Sequence, residues 1–300
     1  MNNQKIKFEK PSLTIDEQIR LLRERGLILD DEERLRYFLT NISYYHWSIY
    51  FKNFQKDDVF YENTNFEDIL KIYVFDNKLR LLLLELLERV EKSFKCRIAY
   101  ELSVLTGDSH CYSNSDLFNI EDDYEKAITM IREEVKKSRE ISITHYLNRY
   151  NQPELPPVWM IIEILSFGQC GKIHKTLKIE YRNIICRSFG IDEKYIVSWM
   201  HCLSNLRNNC AHHSRIWNRN FTFKPIIKSK QYGRFFNNNN IRLFNYLVVL
   251  QIILSKINPT SSWLDKMKAY IDEGSINIKS MGFPEDWEGR LRKIMTNYKI

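Results

Sequence analysis

The chain has 300 residues, of which 44% are hydrophobic and 28% charged, as in an ordinary soluble globular protein long enough to bury one large or two modest cores. The formal net charge of +7 is mild, so it permits an RNA partner through phosphate contacts without requiring one. The six cysteines show neither a CxxC pair nor regular spacing, which disfavours a zinc site and a disulfide framework and favours reduced thiols.

Nothing in the sequence predicts a membrane or a cofactor. The first ten residues lack the apolar core of a signal peptide. The most apolar run, Leu243 to Ile257, is interrupted by polar residues and is shorter than the roughly 20 residues that a membrane span needs. There is no Gly-rich loop to hold a nucleotide cofactor. We therefore expect a cytoplasmic protein without membrane attachment and without a small-molecule cofactor.

The N-terminal segment, residues 1–64, is predicted to form short helices followed by an aromatic cluster. Thr14 and Glu17 have the spacing of a capping box at the start of the first helix. Tyr44 and Tyr45 open the aromatic cluster, in which rings alternate with lysines. Such rings could stack on RNA bases, or they could pack the N-terminal helices onto the rest of the protein. We favour packing, because aromatic side chains occur most often in cores and interfaces.

The middle of the chain is predicted to supply two core helices. Phe66 to Ser103 carries a continuous apolar stripe, long enough for the spine of a helical bundle. After a cluster of prolines, Val158 to Gly168 is apolar nearly all round, which predicts a buried central helix. Glu163 is the exception, since a buried carboxylate is costly unless it is paired. We expect Glu163 to pair with Arg207 or Arg215, or else to face a functional site.

The stretch from Ile196 to Asn220 combines helical periodicity with the most reactive side chains of the chain. Its apolar residues recur at three- and four-residue spacing, and a helix continued past them carries Arg207, Asn208, His212 and His213. On a straight helix Arg207 and His212 diverge by roughly 140°. They can meet at one phosphate only if the arginine curls round, the helix is distorted, or a second copy completes the site.

These residue types suit phosphoryl transfer without a metal. An imidazole can take or give a proton at neutral pH, and a guanidinium binds phosphate oxygens through two parallel hydrogen bonds. In RNA the 2′-hydroxyl is an internal nucleophile, so a base to deprotonate it and an arginine to stabilise the crowded phosphorane are enough. The alternative is that the histidine is a hydrogen-bonded structural residue and its spacing from the arginine arose by chance.

Five segments along nearly the whole chain also match, in order, the blocks of a known family. L-R-N-N-C-A-H-H-S-R-I-W-N-R resembles the signature of the Abi (abortive infection) proteins of the AbiD/AbiF type, which act in bacterial phage defence. The other segments are F-E-K-P-S-L-T-I-D-E-Q-I-R-L-L-R-E-R-G-L, N-I-S-Y-Y-H-W-S-I-Y, P-P-V-W-M-I-I-E-I-L-S-F-G and M-G-F-P-E-D-W. That family is similar in turn to the HEPN superfamily, in which Arg, four to six intervening residues and His form a ribonuclease site.

The resemblance implies a fold and a general activity. The fold is all-α, with a HEPN-like helical bundle at residues 65–257, the N-terminal helical segment 1–64 packed on it, and a C-terminal extension at residues 258–300. The activity is that of a metal-independent endoribonuclease in phage defence, related to toxin–antitoxin systems and acting in the bacterial cytoplasm. HEPN-like ribonuclease sites usually lie across a pair of bundles, and this chain holds one, so a homodimer is implied.

The resemblance also implies roles for particular residues. Arg207 would neutralise the phosphate, and Asn208 matches the polar residue that commonly follows the arginine. One histidine would activate the 2′-hydroxyl or protonate the leaving 5′-oxygen, with His212 as the first candidate and His213 as the second. V-E-K-S-F-K-C-R on the long helix resembles the family's Glu-containing segment. Its glutamate, Glu91, would orient His212 or hold Arg207.

Further residues are supporting or RNA-binding candidates, and other functions stay open. Arg97 lies behind the glutamate in the same segment. Arg215, Arg219, Tyr44 and Tyr45 are the candidates for RNA affinity. The alternative function, from a different class, is a non-catalytic helical module that binds a regulatory RNA or senses a phage product. A third is a purely structural scaffold with neither RNA affinity nor toxicity.

Overall fold

The computed structural model describes residues 7, 9–227, 231–238 and 241–297. Within these residues it contains thirteen α-helices and one two-stranded hairpin, which confirms the predicted all-α bundle. The chain divides into two compact units, Met1–Asn77 and Lys78–Ile300. The first unit includes the start of the long helix. The predicted segments 1–64, 65–257 and 258–300 stay a prediction.

The first unit consists of three helices, a hairpin and the first turns of a fourth helix. These elements are α1 (Ile15–Glu24), α2 (Glu32–Asn41), α3 (Tyr44–Phe51), β1 (Gln55–Lys56), β2 (Val59–Phe60) and the start of α4 (Phe66–Thr106). The predicted capping box begins α1: the Thr14 side chain accepts from the Glu17 N–H, and the Glu17 carboxylate accepts from the Thr14 N–H at 2.7 Å. Asp31 and Ser43 accept N–H groups at the starts of α2 and α3 in a similar way.

Most of the aromatic cluster lies in the core of the first unit. Trp47 and Tyr50 have no exposed surface, and Phe51 is almost completely buried. Trp47 stacks on Phe51 with 5.9 Å between ring centroids, and the Tyr50 hydroxyl donates to the buried Asp76 carboxylate at 2.7 Å. Tyr45 is different, because 80% of its surface is exposed. Helix α3 therefore buries one face and presents a tyrosine on the other.

The second unit contains the rest of α4 and all later helices. They are α5 (Glu121–Lys137), α6 (Ile141–Arg149), α7 (Val158–Ile164), α8 (Phe167–Thr176), α9 (Ile179–Arg187), α10 (Glu193–Ala211), α11 (Leu243–Ile257), α12 (Trp263–Gly274) and α13 (Trp287–Asn297). Leu165 is extended, and Ser166 with Gln169 forms a second capping box at the start of α8. The single buried helix predicted from Val158 to Gly168 is therefore wrong, and Trp159 within it is half-exposed.

The most deeply buried helix is α11. Every position from Leu243 to Ser255 is buried, and α10 and α13 pack against it. Its polar side chains are satisfied inside the protein, since Gln251 Oε1 accepts from the Trp263 indole at 2.6 Å and the Asn245 amide donates to a backbone carbonyl at 2.8 Å. No helix in the described part of the chain is both long and apolar enough to cross a membrane.

Replacing Trp47 by alanine tests the core assignment of α3. The variant is expected to lose about 3–5 kcal/mol of the free energy of unfolding, because a fully buried indole leaves a cavity. Tyr45→Ala is the matched control on the same helix and should change it by less than about 0.5 kcal/mol. Urea unfolding followed by circular dichroism measures both, and equal midpoints for the two variants would contradict the assignment.

Candidate active site

Helix α10 places the arginine and asparagine of the motif at the protein surface. Its apolar stripe is buried, with no exposed surface at Ile196, Trp199 or Leu203. The helix packs against α8, α9 and α11 through this stripe. Arg207 is therefore only half-buried, and Asn208 is exposed.

The helix ends one residue before His212, earlier than the sequence predicted. His212 is the C-cap, and His213 follows with a positive φ of 56°. The Ser214 N–H donates to the Asn209 carbonyl at 2.9 Å, and the His213 N–H donates to the Cys210 carbonyl at 3.2 Å. These are the two hydrogen bonds of a Schellman motif. His213 consequently does not lie one turn above Asn209, as it would on a continued helix.

His213 occupies a left-handed position that helix ends usually give to glycine. A residue with a Cβ costs roughly 1–2 kcal/mol there, although histidine tolerates it better than most residues. Non-glycine residues in this conformation cluster at functional sites. The imidazoles of His212 and His213 are both exposed. The spacing of a straight helix therefore does not apply to His213, because the chain leaves the helical path at this residue.

A buried carboxylate on α4 holds the arginine of the motif. Glu91 Oε2 lies 3.3 Å from Arg207 Nε, and Glu91 Oε1 lies 3.3 Å from Lys95 Nζ. The side chains of Glu91 and Lys95 are 11% and 10% exposed, whereas that of Arg207 is 37% exposed. Of the two alternatives for Glu91, the contact observed is therefore the one with Arg207.

The ion pair orients the guanidinium without occupying all of it. Glu91 is paired with Nε, so the two terminal nitrogens stay available for parallel hydrogen bonds to phosphate oxygens. One of them, Nη1, lies 3.5 Å from Oδ1 of Asn208, at the outer limit of a hydrogen bond. Arg207 and Asn208 are thus adjacent polar groups at the surface, above a buried acid.

Lys95 belongs to this cluster, and the sequence interpretation missed it. An acid and a base one helical turn apart usually form an exposed ion pair, yet Glu91 and Lys95 are both only 8% exposed. Lys95 Nζ also donates to the Glu163 backbone carbonyl at 3.4 Å. A signal was present, because residues 91, 95, 98 and 102 share one helix face, on which Ile98 and Leu102 are buried.

Glu163 does not occupy the position that the sequence predicted. Helix α7 is short and lies at the surface, so the Glu163 side chain is exposed and no desolvation penalty demands a partner. Within the described residues its carboxylate forms no ion pair with Arg207 or Arg215. Its contact with the site is made by the backbone carbonyl, through Lys95.

Arg97 supports a different part of the fold. Its guanidinium donates to the Ser188 carbonyl and lies over the Phe189 ring, 4.0 Å from the centroid. Burial lowers the pKa of this guanidinium from its ordinary value. Arg97 therefore anchors the connection between α9 and α10 and does not back Glu91.

The residues predicted for RNA affinity occur in both units. Arg215 and Arg219 are half-buried just after the histidines, and Arg219 Nη1 donates to the Arg215 carbonyl at 3.3 Å. Tyr44 and Tyr45 belong to the first unit, where Tyr44 is half-buried. A role of these four residues in RNA affinity stays a prediction.

The polar face of α10 includes a further histidine, which the sequence interpretation did not single out. His201 precedes Asn208 and His212 at spacings that place all three on one side of the helix. Burial, followed by the charges of Lys175 and Lys172 on α8, lowers the pKa of His201. Both lysines are exposed, so ammonium groups lie near this polar face.

The described chain also contains thiols and other side chains of the types that bind metals. No group of three His, Cys, Asp or Glu side chains among the described residues is arranged to hold a metal ion. None of the six cysteines is in a disulfide, and all except the exposed Cys96 are buried. Burial raises the pKa of Cys111 to about 11 and the pKa of Cys170 and Cys202 to about 12. These buried thiols are therefore protonated at neutral pH and are poor nucleophiles.

The fold and the site define an all-α bundle protein that carries arginine, asparagine and two histidines at one helix end, above a buried acid. The model of the family described as Abi-like protein matches residues 37–218, which include all of these groups. The chain belongs to this family, which confirms the resemblance at that level. Membership supports a role in abortive infection, a defence against phage.

The matched range covers three of the five segments on which the resemblance was based. It includes N-I-S-Y-Y-H-W-S-I-Y, P-P-V-W-M-I-I-E-I-L-S-F-G and all but the last residue of the arginine–histidine segment. The opening segment and M-G-F-P-E-D-W lie outside it. Comparisons with curated proteins and with solved structures give no significant match.

Replacing Lys95 by methionine tests the buried cluster. Glu91 would lose its buried cation, and the free energy of unfolding is expected to fall by about 2 kcal/mol. Lys92→Met is the matched control, because Lys92 forms an exposed pair with Glu88 on the same helix and should contribute less than about 0.5 kcal/mol. Thermal or urea unfolding distinguishes them, and the cluster is unimportant for stability if both variants behave alike.

Proposed function

We propose that this protein is a metal-independent HEPN-type endoribonuclease that acts in abortive infection. The proposal rests on one observation. The buried Glu91 of α4 anchors the guanidinium of Arg207 on α10, and the end of α10 exposes His212 and His213. An oriented cation and solvent-facing imidazoles are the groups needed for attack of a ribose 2′-hydroxyl on its own phosphate. Membership of the Abi-like family is consistent with this chemistry.

The reaction assigns one task to each group. One imidazole removes the proton of the 2′-hydroxyl while the oxygen bonds to phosphorus. His212 is the preferred candidate for this role, and His213 is the second candidate. The bond from phosphorus to the 5′-oxygen breaks, and that oxygen takes a proton from an imidazolium. Arg207 neutralises the charge on the phosphate oxygens, and Asn208 orients the phosphate. The products are a 2′,3′-cyclic phosphate and a 5′-hydroxyl end.

A second copy of the chain would complete this site. The reaction needs a base at the 2′-oxygen and an acid at the 5′-oxygen, on opposite sides of the phosphorus. The motif lies at an exposed helix end, where a symmetry-related motif can approach it. We therefore infer a homodimer in which the motifs of two chains face each other across a two-fold axis.

The charge around α10 supports RNA as the substrate. Lys172 and Lys175 lie close enough to His201 to affect its pKa, and His201 shares a helix face with His212. Positive charge beside the motif attracts a phosphate backbone and contributes affinity that depends on salt rather than on sequence. The overall charge of +7 has the same sign.

One observation favours the alternative of a non-catalytic RNA-binding or phage-sensing module. Arg207 is already paired with a carboxylate, and His213 serves as a helix terminator, so both residues have structural tasks. In that case Arg207, Arg215 and Arg219 would contribute affinity alone. The two functions differ in whether RNA is cut.

Changing both histidines is the direct test of cleavage. His212→Ala combined with His213→Asn removes both imidazoles, and asparagine keeps a residue that tolerates the left-handed position. Cleavage of total RNA by the purified chain in EDTA is expected to fall by at least about 100-fold. End analysis of the wild-type products should show cyclic phosphates and 5′-hydroxyls. Equal cleavage by the variant, or RNA binding without cleavage by the wild type, would refute the nuclease.

Mixing active and inactive chains tests the shared site. Wild-type chains and His212→Ala/His213→Asn chains are exchanged in equal amounts, and about a quarter of the activity of an all-wild-type sample should remain, because only the wild-type homodimers carry imidazoles on both sides of the phosphorus. Sedimentation analysis provides the oligomeric state. Retention of about half of the activity in a proven mixed dimer would place each site within one chain.

A further inference from the structure

The first unit contains a pocket that includes none of the proposed catalytic residues but is lined by Tyr44 and Tyr45, two of the candidates for RNA affinity. It is lined by α1, α3 and the β1–β2 hairpin, and its volume is about 660 Å³. Small-molecule sites typically have volumes of about 300–1,000 Å³. The lining combines aromatic rings with cationic side chains, whereas the core beneath α3 is mainly apolar and aromatic.

Three aromatic side chains contribute to the pocket. Phe51 is buried, and Tyr44 packs edge-on against it with 6.2 Å between ring centroids. Tyr45 lines the pocket while 80% of its surface is exposed. An exposed ring beside a cavity offers a face on which a flat ligand can stack, and every nucleic acid base has such a face.

Three cations line the same pocket. They are Lys10, Arg25 and Lys52, and Asp58 is the one carboxylate among the described lining residues. The Arg25 guanidinium donates to Asp58 Oδ2 at 3.3 Å and to the Tyr44 hydroxyl at 3.2 Å. These bonds orient the guanidinium and leave its other N–H groups for a ligand. Because cations exceed acids, the pocket favours an anion.

The turn of the β1–β2 hairpin has strained backbone at two residues, and the second of them, Asp58, lines the pocket. Asp57 and Asp58 have φ angles of 51° and 64°, so the two-residue turn has the type I′ form that usually carries Asn-Gly. Glycine at the second position would remove the strain, but it would also remove the carboxylate that holds Arg25. Backbone strain of this kind is concentrated at ligand sites.

We propose that this pocket binds a nucleotide, with its base stacked on Tyr45 and its phosphate held by Arg25 and Lys52. The combination of features selects this class of ligand. A simple phosphate would not use the rings, and a neutral aromatic molecule would not use the cations. A free nucleotide and an unpaired nucleotide of an RNA share this chemistry. The proposal goes beyond the nuclease function and does not depend on it.

Calorimetric titration of the full chain with AMP and UMP tests the pocket. The chain carries His212→Ala and His213→Asn, so that RNA added later is not cut. Both nucleotides are expected to bind at least about tenfold more tightly than adenosine or ribose 5-phosphate, which lack one of the two groups. Tyr45→Ala and Lys52→Ala should each weaken binding about tenfold.

Matched variants serve as controls. Tyr37 on α2 is 64% exposed and Lys71 on α4 is exposed, and neither lines the pocket, so Tyr37→Ala and Lys71→Ala should leave binding unchanged. Because Tyr45 is on the surface, its replacement does not threaten folding.

Titration with a short single-stranded RNA distinguishes the two sources of the nucleotide. RNA binding that Tyr45→Ala weakens, without binding of AMP or UMP, identifies an RNA nucleotide as the occupant and supports the proposal. The proposal is overturned if no probe binds, or if Tyr37→Ala weakens binding as much as Tyr45→Ala. If nucleotides bind but the wild-type chain cuts no RNA, the nuclease function is refuted and the nucleotide-binding pocket is still supported.

Discussion

The carboxylate of Glu91, held between Lys95 and Arg207, is the interaction on which the functional interpretation depends. Two charged residues of α4 are buried there, and in the protein interior such groups are stable only when paired. The buried Lys95 pairs with one oxygen of the Glu91 carboxylate, and the more exposed Arg207 pairs with the other. The same contact connects the spine helix to the helix that carries the motif, so the position of Arg207 is set by the core and not by its own flexible side chain.

Much of the fold was predictable because it follows from local rules. The capping box of Thr14 and Glu17 forms as predicted, and the apolar stripes of α4 and α10 face the core as their periodicity indicated. The central helix was misassigned for a physical reason. Val158 to Gly168 is apolar enough for a buried helix, but Ser166 and Gln169 form a capping box that starts a new one. The local hydrogen bonds of the capping box, and not the apolar composition, determine where the helices end there. The buried central helix of the fold is α11.

The site was predictable in its residue types and less so in its geometry. The sequence identified Arg207, Asn208, His212 and His213, but helical spacing could not reveal that α10 ends before the histidines, because histidine is not a usual terminator. Lys95 was missed because an acid and a base one helical turn apart give the same sequence pattern on an exposed surface and in a core. The burial of Lys95 depends on α7, where its ammonium group contacts the Glu163 carbonyl, 68 residues further along the chain.

The buried helix α11 has a consequence for when the motif becomes ordered. Helix α10 packs on it as well as on α8 and α9, so the apolar stripe of α10 is only partly covered until residues 243–257 have emerged from the ribosome. Glu91, Lys95 and the arginine are synthesised long before that. A nascent chain interrupted before α11 would hold Glu91, Lys95 and Arg207 yet lack one of the three helices that pack against α10. The final packing of α10 therefore follows the synthesis of residues 243–257.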